Sequence, residues 1–303
     1  MVSSFFSACD RPQPSAGGDS TVVPARGTDS ASRREELINS GWDPSAGAVL
    51  VLPTVDGGMV AGSLLRPEAT ELTVADTVGI GAAMGDRRLD LFTRSGRIGG
   101  ALLSVEAAPK TEPGCTAWPV ARLAIDGGTV SAPWTAAFMA GRVTAIPLDS
   151  IEGLAARDSA RLAADLTRLA SGLPDDTSHT FRTLPLVVLR AWRTSGLDSG
   201  FVVATLVRRV NQEDDPKEER LVIVVNAPST DAKSWKVAWH ERASGHEEEL
   251  VVAEPLLAFR TARSGDLHLL FGRDDGVALG AAVLTRAGGV WRVLWESAVA
   301  GCD

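Results

Sequence analysis

Short runs of apolar, often β-branched residues recur along most of the chain, and turn residues separate them. Between positions 48 and 146 these runs predict six strands, with glycine pairs between several of them. The predicted strands cover residues 49–52, 59–65, 89–93, 98–105, 120–125 and 136–146. This pattern indicates a β-rich N-terminal domain over residues 47–147.

One segment has helical rather than β periodicity. Its apolar residues recur every three or four positions: Ile151, Ala155, Leu162, Leu166 and Leu169. Charged residues mostly fall off that stripe, which is typical of an amphipathic helix. Asp149 or Ser150 suits the N-cap, and Gly172 suits the end. The spacing therefore predicts one dividing helix over residues 148–173.

A second β-rich domain is predicted over residues 174–303. Its apolar runs predict eight strands over residues 186–192, 201–210, 220–225, 235–240, 250–259, 267–271, 277–284 and 290–297. The fold class expected for the chain is mainly β. Two β-rich lobes, sandwich-like or barrel-like, should be separated by the amphipathic helix.

Two tryptophan-rich strands in this second domain have similar sequences. Residues 235–239 read WKVAW and residues 291–295 read WRVLW. Because side chains alternate along a strand, both tryptophans of each copy should face the same side. Trp235, Trp239, Trp291 and Trp295 are expected to build the core of two equivalent hairpins from an internal duplication. The alternative is an aromatic face that binds a ligand.

Composition excludes some classes of partner. The chain has 303 residues, of which 45% are hydrophobic, so it can bury a large core. Its formal net charge of −8 repels phosphate backbones, and a nucleic-acid partner is not expected. Since no apolar run reaches the roughly 18 residues that a spanning helix needs, membrane contact would have to come from an anchor.

Residues 6–9 read FSAC and resemble a bacterial lipobox, the site at which an exported protein is cleaved and lipidated on cysteine. The resemblance implies that residues 1–9 are the remainder of a signal segment and that Cys9 carries lipid. A signal peptide needs a longer apolar region before the cleavage site, so the start should lie upstream of Met1. The alternative is a cysteine that is there by accident.

The segment after Cys9 suits a tether. Residues 10–46 are rich in Pro, Gly, Ser, Asp and Thr, with one short helix predicted near residues 33–41. Asp10 resembles the retention signal that keeps some bacterial lipoproteins in the inner membrane. The implied location is the periplasmic face of that membrane, with anchoring through membrane lipid.

If Cys9 carries lipid, two of the three cysteines remain, Cys115 and Cys302. They are a candidate disulfide, which would close a long loop and stabilise the fold by at most about 5 kcal/mol. Two unpaired thiols are the alternative, because sequence does not show proximity.

Catalytic and cofactor motifs are weak in this sequence. His240 and His246 are the best metal candidates, yet their spacing is not that of an H-E-x-x-H helix, and no metal is expected. Residues 79–85 contain three glycines, but no βαβ succession follows, so no nucleotide cofactor is expected. The segment 214–220 reads as a charged loop.

The expected function is therefore non-catalytic. The chain should be a membrane-tethered structural or binding subunit that docks on the periplasmic face of a membrane protein complex. Respiratory, photosynthetic, transport and envelope-assembly complexes would all suit. The alternatives are a lipoprotein that binds a small ligand or peptide on its own, and an envelope hydrolase with a dispersed active site.

Overall fold

The computed structural model describes most of the chain after residue 86 and two short strands before it. The described residues are 50–53, 61–65, 87–106, 115–116, 120–127, 135–174, 180–195, 197, 200–210, 216–228, 234–246, 250–262, 265–274, 279–296 and 301–302. All of them belong to one unit, which runs from Leu37 to Asp303.

Strands dominate these residues. The strands are β1 (Leu50–Pro53), β2 (Ala61–Leu65), β3 (Arg87–Thr93), β4 (Gly96–Glu106), β5 (Cys115–Thr116), β6 (Val120–Ile125), β7 (Ala136–Met139), β8 (Val143–Ile146), β9 (Leu148–Ser150), β10 (Val187–Thr194), β11 (Phe201–Val210), β12 (Lys217–Asn226), β13 (Lys236–His246), β14 (Val252–Thr261), β15 (Leu267–Asp274), β16 (Leu279–Ala287), β17 (Val290–Glu296) and β18 (Gly301–Cys302). A one-turn 3-10 helix (Ile151–Gly153) precedes the helix α1 (Ala156–Ser171). The predicted fold class, mainly β with a single helix between strand-rich regions, is confirmed.

Three antiparallel sheets contain nearly all of the strands. The N sheet has the order β1-β2-β6-β4-β3-β7, and its edge strands meet only where Val51 lies opposite Ala137. The middle sheet has the order β17-β16-β15-β14-β8, and the outer sheet has the order β13-β12-β11-β10-β9. The chain crosses from the middle sheet to the outer sheet at Pro147, between β8 and β9.

The sheets and the helix stack through three apolar clusters. Phe92 and Phe138 of the N sheet pack against Phe259 of the middle sheet. Residues such as Phe271 join the middle sheet to the outer sheet. The other face of the outer sheet packs against α1 through Leu166. Because both five-stranded sheets are covered on both faces, their inner strands β11, β15 and β16 read as largely apolar runs.

Two boundary predictions are wrong. The predicted strand over residues 136–146 is two strands in different sheets, because a turn around Gly141, with φ of 74°, separates β7 from β8. The side chain of Ser150 accepts a hydrogen bond from the Glu152 amide, as predicted for a cap, but it caps the 3-10 turn. The helix α1 begins only after Ala155, since the chain is extended at Leu154.

The outer and middle sheets contain two equivalent four-stranded meanders, β10–β13 and β14–β17. Their first strands read LRAWRT over residues 189–194 and LLAFRT over residues 256–261. Each strand has a bulge at the leucine that begins this motif, and each pairs at the motif's end with β9 or β8. The similarity between the two copies therefore extends over whole meanders, beyond the two tryptophan hairpins.

The predicted common face of each tryptophan pair is wrong. Trp239 pairs with Val224 and Val237 pairs with Val225, so β13 has one extra residue between them, and β17 has a bulge at the corresponding position. A bulge of this kind reverses the alternation of side chains. Trp235 consequently packs on the helix side of the outer sheet while Trp239 packs between the sheets. In β17, Trp291 lies between the sheets and Trp295 faces the N sheet.

Candidate interaction surface

An exposed apolar segment lies at the start of β10, which we call the β10 strip: Val187, Leu189 and Arg190. The side chains of Val187 and Leu189 are 58% and 42% exposed. Among the described strands, β9 is the neighbour of β10 on the side away from β11, and its ladder covers only Trp192–Thr194. The strip therefore combines apolar side chains with a strand segment that has an open edge.

The bulge in β10 determines how the strip is presented. Val188 pairs with Leu206 and Arg190 pairs with Thr205, so Leu189 is the extra residue. A bulge interrupts the hydrogen-bond ladder, which discourages the unlimited addition of further strands. The strip is thus better suited to contact through side chains than to extension of the sheet.

The equivalent position in the second meander can be compared with the strip. Leu256, the bulged residue at the equivalent position of β14, is partly buried and packs against the cluster shared by the N sheet and the middle sheet. Leu189 has kept the residue type and the bulge, but it is exposed. The first meander therefore presents at its surface a leucine that the second meander covers with another part of the chain.

An ion pair joins the strip to the middle sheet. The guanidinium of Arg190 lies 3.3 Å from the Glu254 carboxylate, which also pairs with Arg94 of the turn between β3 and β4. Arg94 in addition donates to the Pro255 carbonyl oxygen at 2.7 Å and lies 5.0 Å from the centre of the Trp192 ring. These contacts join β10 to β14 and to the turn between β3 and β4.

A small cleft lies between the outer sheet and the middle sheet, next to the β10 strip. It is lined by Thr205, Arg220, Val222, Glu241, Ala243, Val251 and Ala253. Its volume is about 10 Å³, the space of about one water molecule. Pockets for small ligands usually measure about 300–1,000 Å³, so this cleft does not accommodate one.

Two adjacent glutamates of β12 are buried at this end of the sheets. Glu218 faces the gap between the sheets and pairs with Arg209 and Arg220. Glu219 faces the helix side and accepts hydrogen bonds from Arg208 at 2.5 Å and Arg242 at 2.8 Å. Consecutive strand residues point to opposite faces, so the two carboxylates do not share a site. Their partners indicate a structural role.

The charged surroundings of Glu218 alter its titration. Burial raises the pKa of this carboxyl, but hydrogen bonds and charge from Arg220 and Arg209 outweigh that effect and hold the pKa below its ordinary value of 4.5. Glu218 therefore remains ionised down to a lower pH than a free glutamate. This property suits a permanent structural ion pair, because a general acid needs a raised pKa.

The assignment of residues 214–220 to a charged loop is wrong for its second half. β12 begins at Lys217, and Glu218 and Glu219 are strand residues opposite Arg209 and Arg208. The signal was present in the sequence. A pair of arginines and a pair of glutamates stand at mirrored positions around residues 211–216, which is the pattern of a hairpin with cross-strand ion pairs.

The histidine candidates are far apart. His240 and His246 both lie on the extended strand β13, six positions apart, and a strand rises about 3.3 Å per residue. They are thus separated by about 20 Å, and one metal ion could not bind both. Within the described residues, no group of three or more His, Cys, Asp or Glu side chains could hold a metal ion.

Other predicted features lie outside the part of the chain that the structure describes. These are Cys9, Asp10, the tether over residues 10–46 and the glycine-rich segment 79–85. Cys115 and Cys302 are described by their backbone, and they lie directly opposite each other where β5 pairs with β18.

Comparisons with known proteins give no further guidance. No protein-family model matches the chain, and neither a curated protein nor a solved structure is significantly similar to it. Among the described helices, none is long and apolar enough to cross a membrane.

Proposed function

We propose that this chain is a non-catalytic, membrane-tethered subunit that docks on the periplasmic face of a membrane protein complex. Cys9 supplies the anchor, residues 10–46 supply the reach, and the β10 strip supplies the contact. The observation that carries the docking proposal is the exposure of Leu189, whose counterpart Leu256 is packed against another sheet.

The chemistry of the strip indicates the kind of contact. Val187 and Leu189 offer apolar side chains next to Arg190, which forms an ion pair with Glu254. Arginine is enriched and large apolar side chains are common at the centres of protein interfaces. A partner with an apolar patch and an acidic rim would complement this surface.

The charged residues near the strip support a contact surface over a catalytic site. Glu218 and Glu219 are each held by two arginines, and the neighbouring cleft has room for about one water molecule. A solo binder needs a larger cavity, and a hydrolase needs polar groups that converge on one space.

The docking proposal is tested with variants in native membranes. The double variant V187S/L189S removes the apolar side chains of the strip. The control V290S/V293S makes the same kind of change at two exposed valines of β17. After mild detergent extraction, the parent chain and the control should elute together at a mass far above the 31.8 kDa of the chain, whereas the strip variant should elute alone.

Other outcomes contradict parts of the proposal. If the parent chain elutes as a monomer and gains thermal stability from a small ligand, it is a solo binder. Co-elution of all three forms with a large complex would place the contact elsewhere. A chain that combines Cys9→Ser with V187S/L189S and still sediments with membranes would exclude lipidation as the anchor.

A further inference from the structure

The two cysteines that remain after Cys9 lie at one register position. In the antiparallel pair of β5 and β18, Cys302 is opposite Cys115 and Gly301 is opposite Thr116. Directly opposed residues of antiparallel strands have Cα atoms about 4.5–5.5 Å apart. Disulfides accept Cα separations of about 4.4–6.8 Å, so the backbone meets this requirement in either type of pair.

The ladder between β5 and β18 is so short that a covalent link would add to its stability. β5 and β18 have two residues each, and their ladder contains two register pairs. An isolated two-stranded ribbon is marginal in water even when it is longer. A bond across it would hold the C-terminal strand in place, since residues 115 and 302 are far apart in sequence.

We infer that Cys115 and Cys302 form a structural disulfide, which closes a loop containing both meanders and α1. Formation starts from two thiols and needs an oxidant of the disulfide class, such as a thiol oxidoreductase or glutathione disulfide. One cysteine thiolate attacks the oxidant and releases one thiol, which leaves a mixed disulfide. The second cysteine then displaces the other thiol, so that two electrons and two protons pass to the oxidant.

Stable disulfides are typical of oxidising environments such as the bacterial periplasm. The pairing therefore agrees with the proposed location but follows from strand register, independently of lipid on Cys9. Either conclusion can fail without the other.

The test uses the full chain with Cys9→Ser, so that only two thiols remain. The chain is purified in reduced form and equilibrated in a glutathione redox buffer. Free thiols are then alkylated in denaturant and counted by intact mass, and the linkage is located by non-reducing peptide mapping. The native chain should lose both thiols and yield a peptide that links Cys115 to Cys302.

The same chain equilibrated in urea is the matched control. Because native structure holds the two positions together, the equilibrium constant for forming the bond should be at least about 10-fold larger in the native chain. Equal constants, or two alkylated thiols after native oxidation, would overturn the inference. A Cys302→Ser chain should show only a mixed disulfide with glutathione at Cys115, which confirms that the oxidant reaches the site.

Peptide mapping of wild-type chain recovered from membranes tests the disulfide and the lipid anchor on Cys9 separately. A linked peptide together with an unmodified Cys9 would retain the disulfide and reject lipidation. A lipidated Cys9 together with free thiols at Cys115 and Cys302 would retain lipidation and reject the disulfide.

Discussion

The buried ion network around Glu219 should contribute strongly to stability, and one substitution tests this. The Glu219 side chain is 0% exposed and lies between Arg208 and Arg242. Replacing it with alanine leaves two largely buried guanidinium groups without that carboxylate. Removing one partner of a buried ion pair typically costs about 3–5 kcal/mol, so Glu219→Ala should lose about that much.

The matched control is Glu254→Ala. Glu254 also pairs with two arginines, Arg94 and Arg190, but its side chain is 38% exposed. Exposed pairs are worth about 0–1 kcal/mol, because water screens the charges and solvates the partners left behind. Each variant therefore removes a carboxylate that pairs with two arginines, but the two losses of stability should differ several-fold.

Urea unfolding followed by tryptophan fluorescence measures both variants. With an m-value of about 3 kcal/mol/M, Glu219→Ala should lower the midpoint by about 1–1.7 M and Glu254→Ala by less than about 0.4 M. Equal slopes would show that the compactness of the end states is unchanged. A Glu219→Ala midpoint no lower than that of Glu254→Ala would refute the reasoning.

A triple variant separates charge from packing. The Oε1 atom of Glu219 is buried without a hydrogen-bond partner among the described residues, so the network does not fully offset its own desolvation. Replacing the pair by apolar residues of similar volume is often neutral. Arg208→Met and Arg242→Met combined with Glu219→Leu remove all three charges of the network and should therefore recover most of the stability that Glu219→Ala loses. No recovery would mean that the charges themselves are needed for this fold.

Three further results are expected. Trp291 packs edge-to-face on Phe201 with ring centroids 4.9 Å apart, so Trp291→Ala should cost about 3–5 kcal/mol in urea unfolding. The pKa of Glu218 is lowered in the folded state, so its stabilisation is complete above the ordinary pKa of 4.5 and is lost as the pH falls through the folded value. Unfolding of Glu218→Gln measured between pH 3 and 7 should accordingly depend less on pH than that of the parent chain. Leu256→Ser should cost about 2 kcal/mol, whereas Leu189→Ser should change stability by less than about 0.5 kcal/mol, measured by the same unfolding assay.

The strands were predictable because the apolar runs are long and turn residues separate them. β11 spans Phe201–Val210, the range that the sequence predicts. The faces of the tryptophans were not predictable. One extra residue in β13 moves Trp239 to the face opposite Trp235, and a bulge depends on the partner strand rather than on local sequence.

The charged residues show a second limit of local reasoning. Glu218 and Glu219 look like solvated loop residues because they belong to a charged run. Their burial depends on arginines across the hairpin, and only the register of β11 with β12 shows which arginine meets which glutamate. Local sequence likewise does not show that Cys115 lies opposite Cys302, because β5 and β18 are distant in sequence and only their register brings the two residues together.

The similarity of the two meanders suggests why the first one has an exposed leucine. Both copies begin with a bulged strand, and both have an edge strand, β9 or β8, that covers only the end of the motif. The open edge at the start of each first strand is thus a property of the repeat. In the second copy, the N sheet and Arg94 cover the region around Leu256 and Glu254. The first copy retains the leucine and the bulge, but no described element packs over Leu189. A repeat that needs a covering element in one copy is expected to need one in the other, and a partner protein at the β10 strip would supply it.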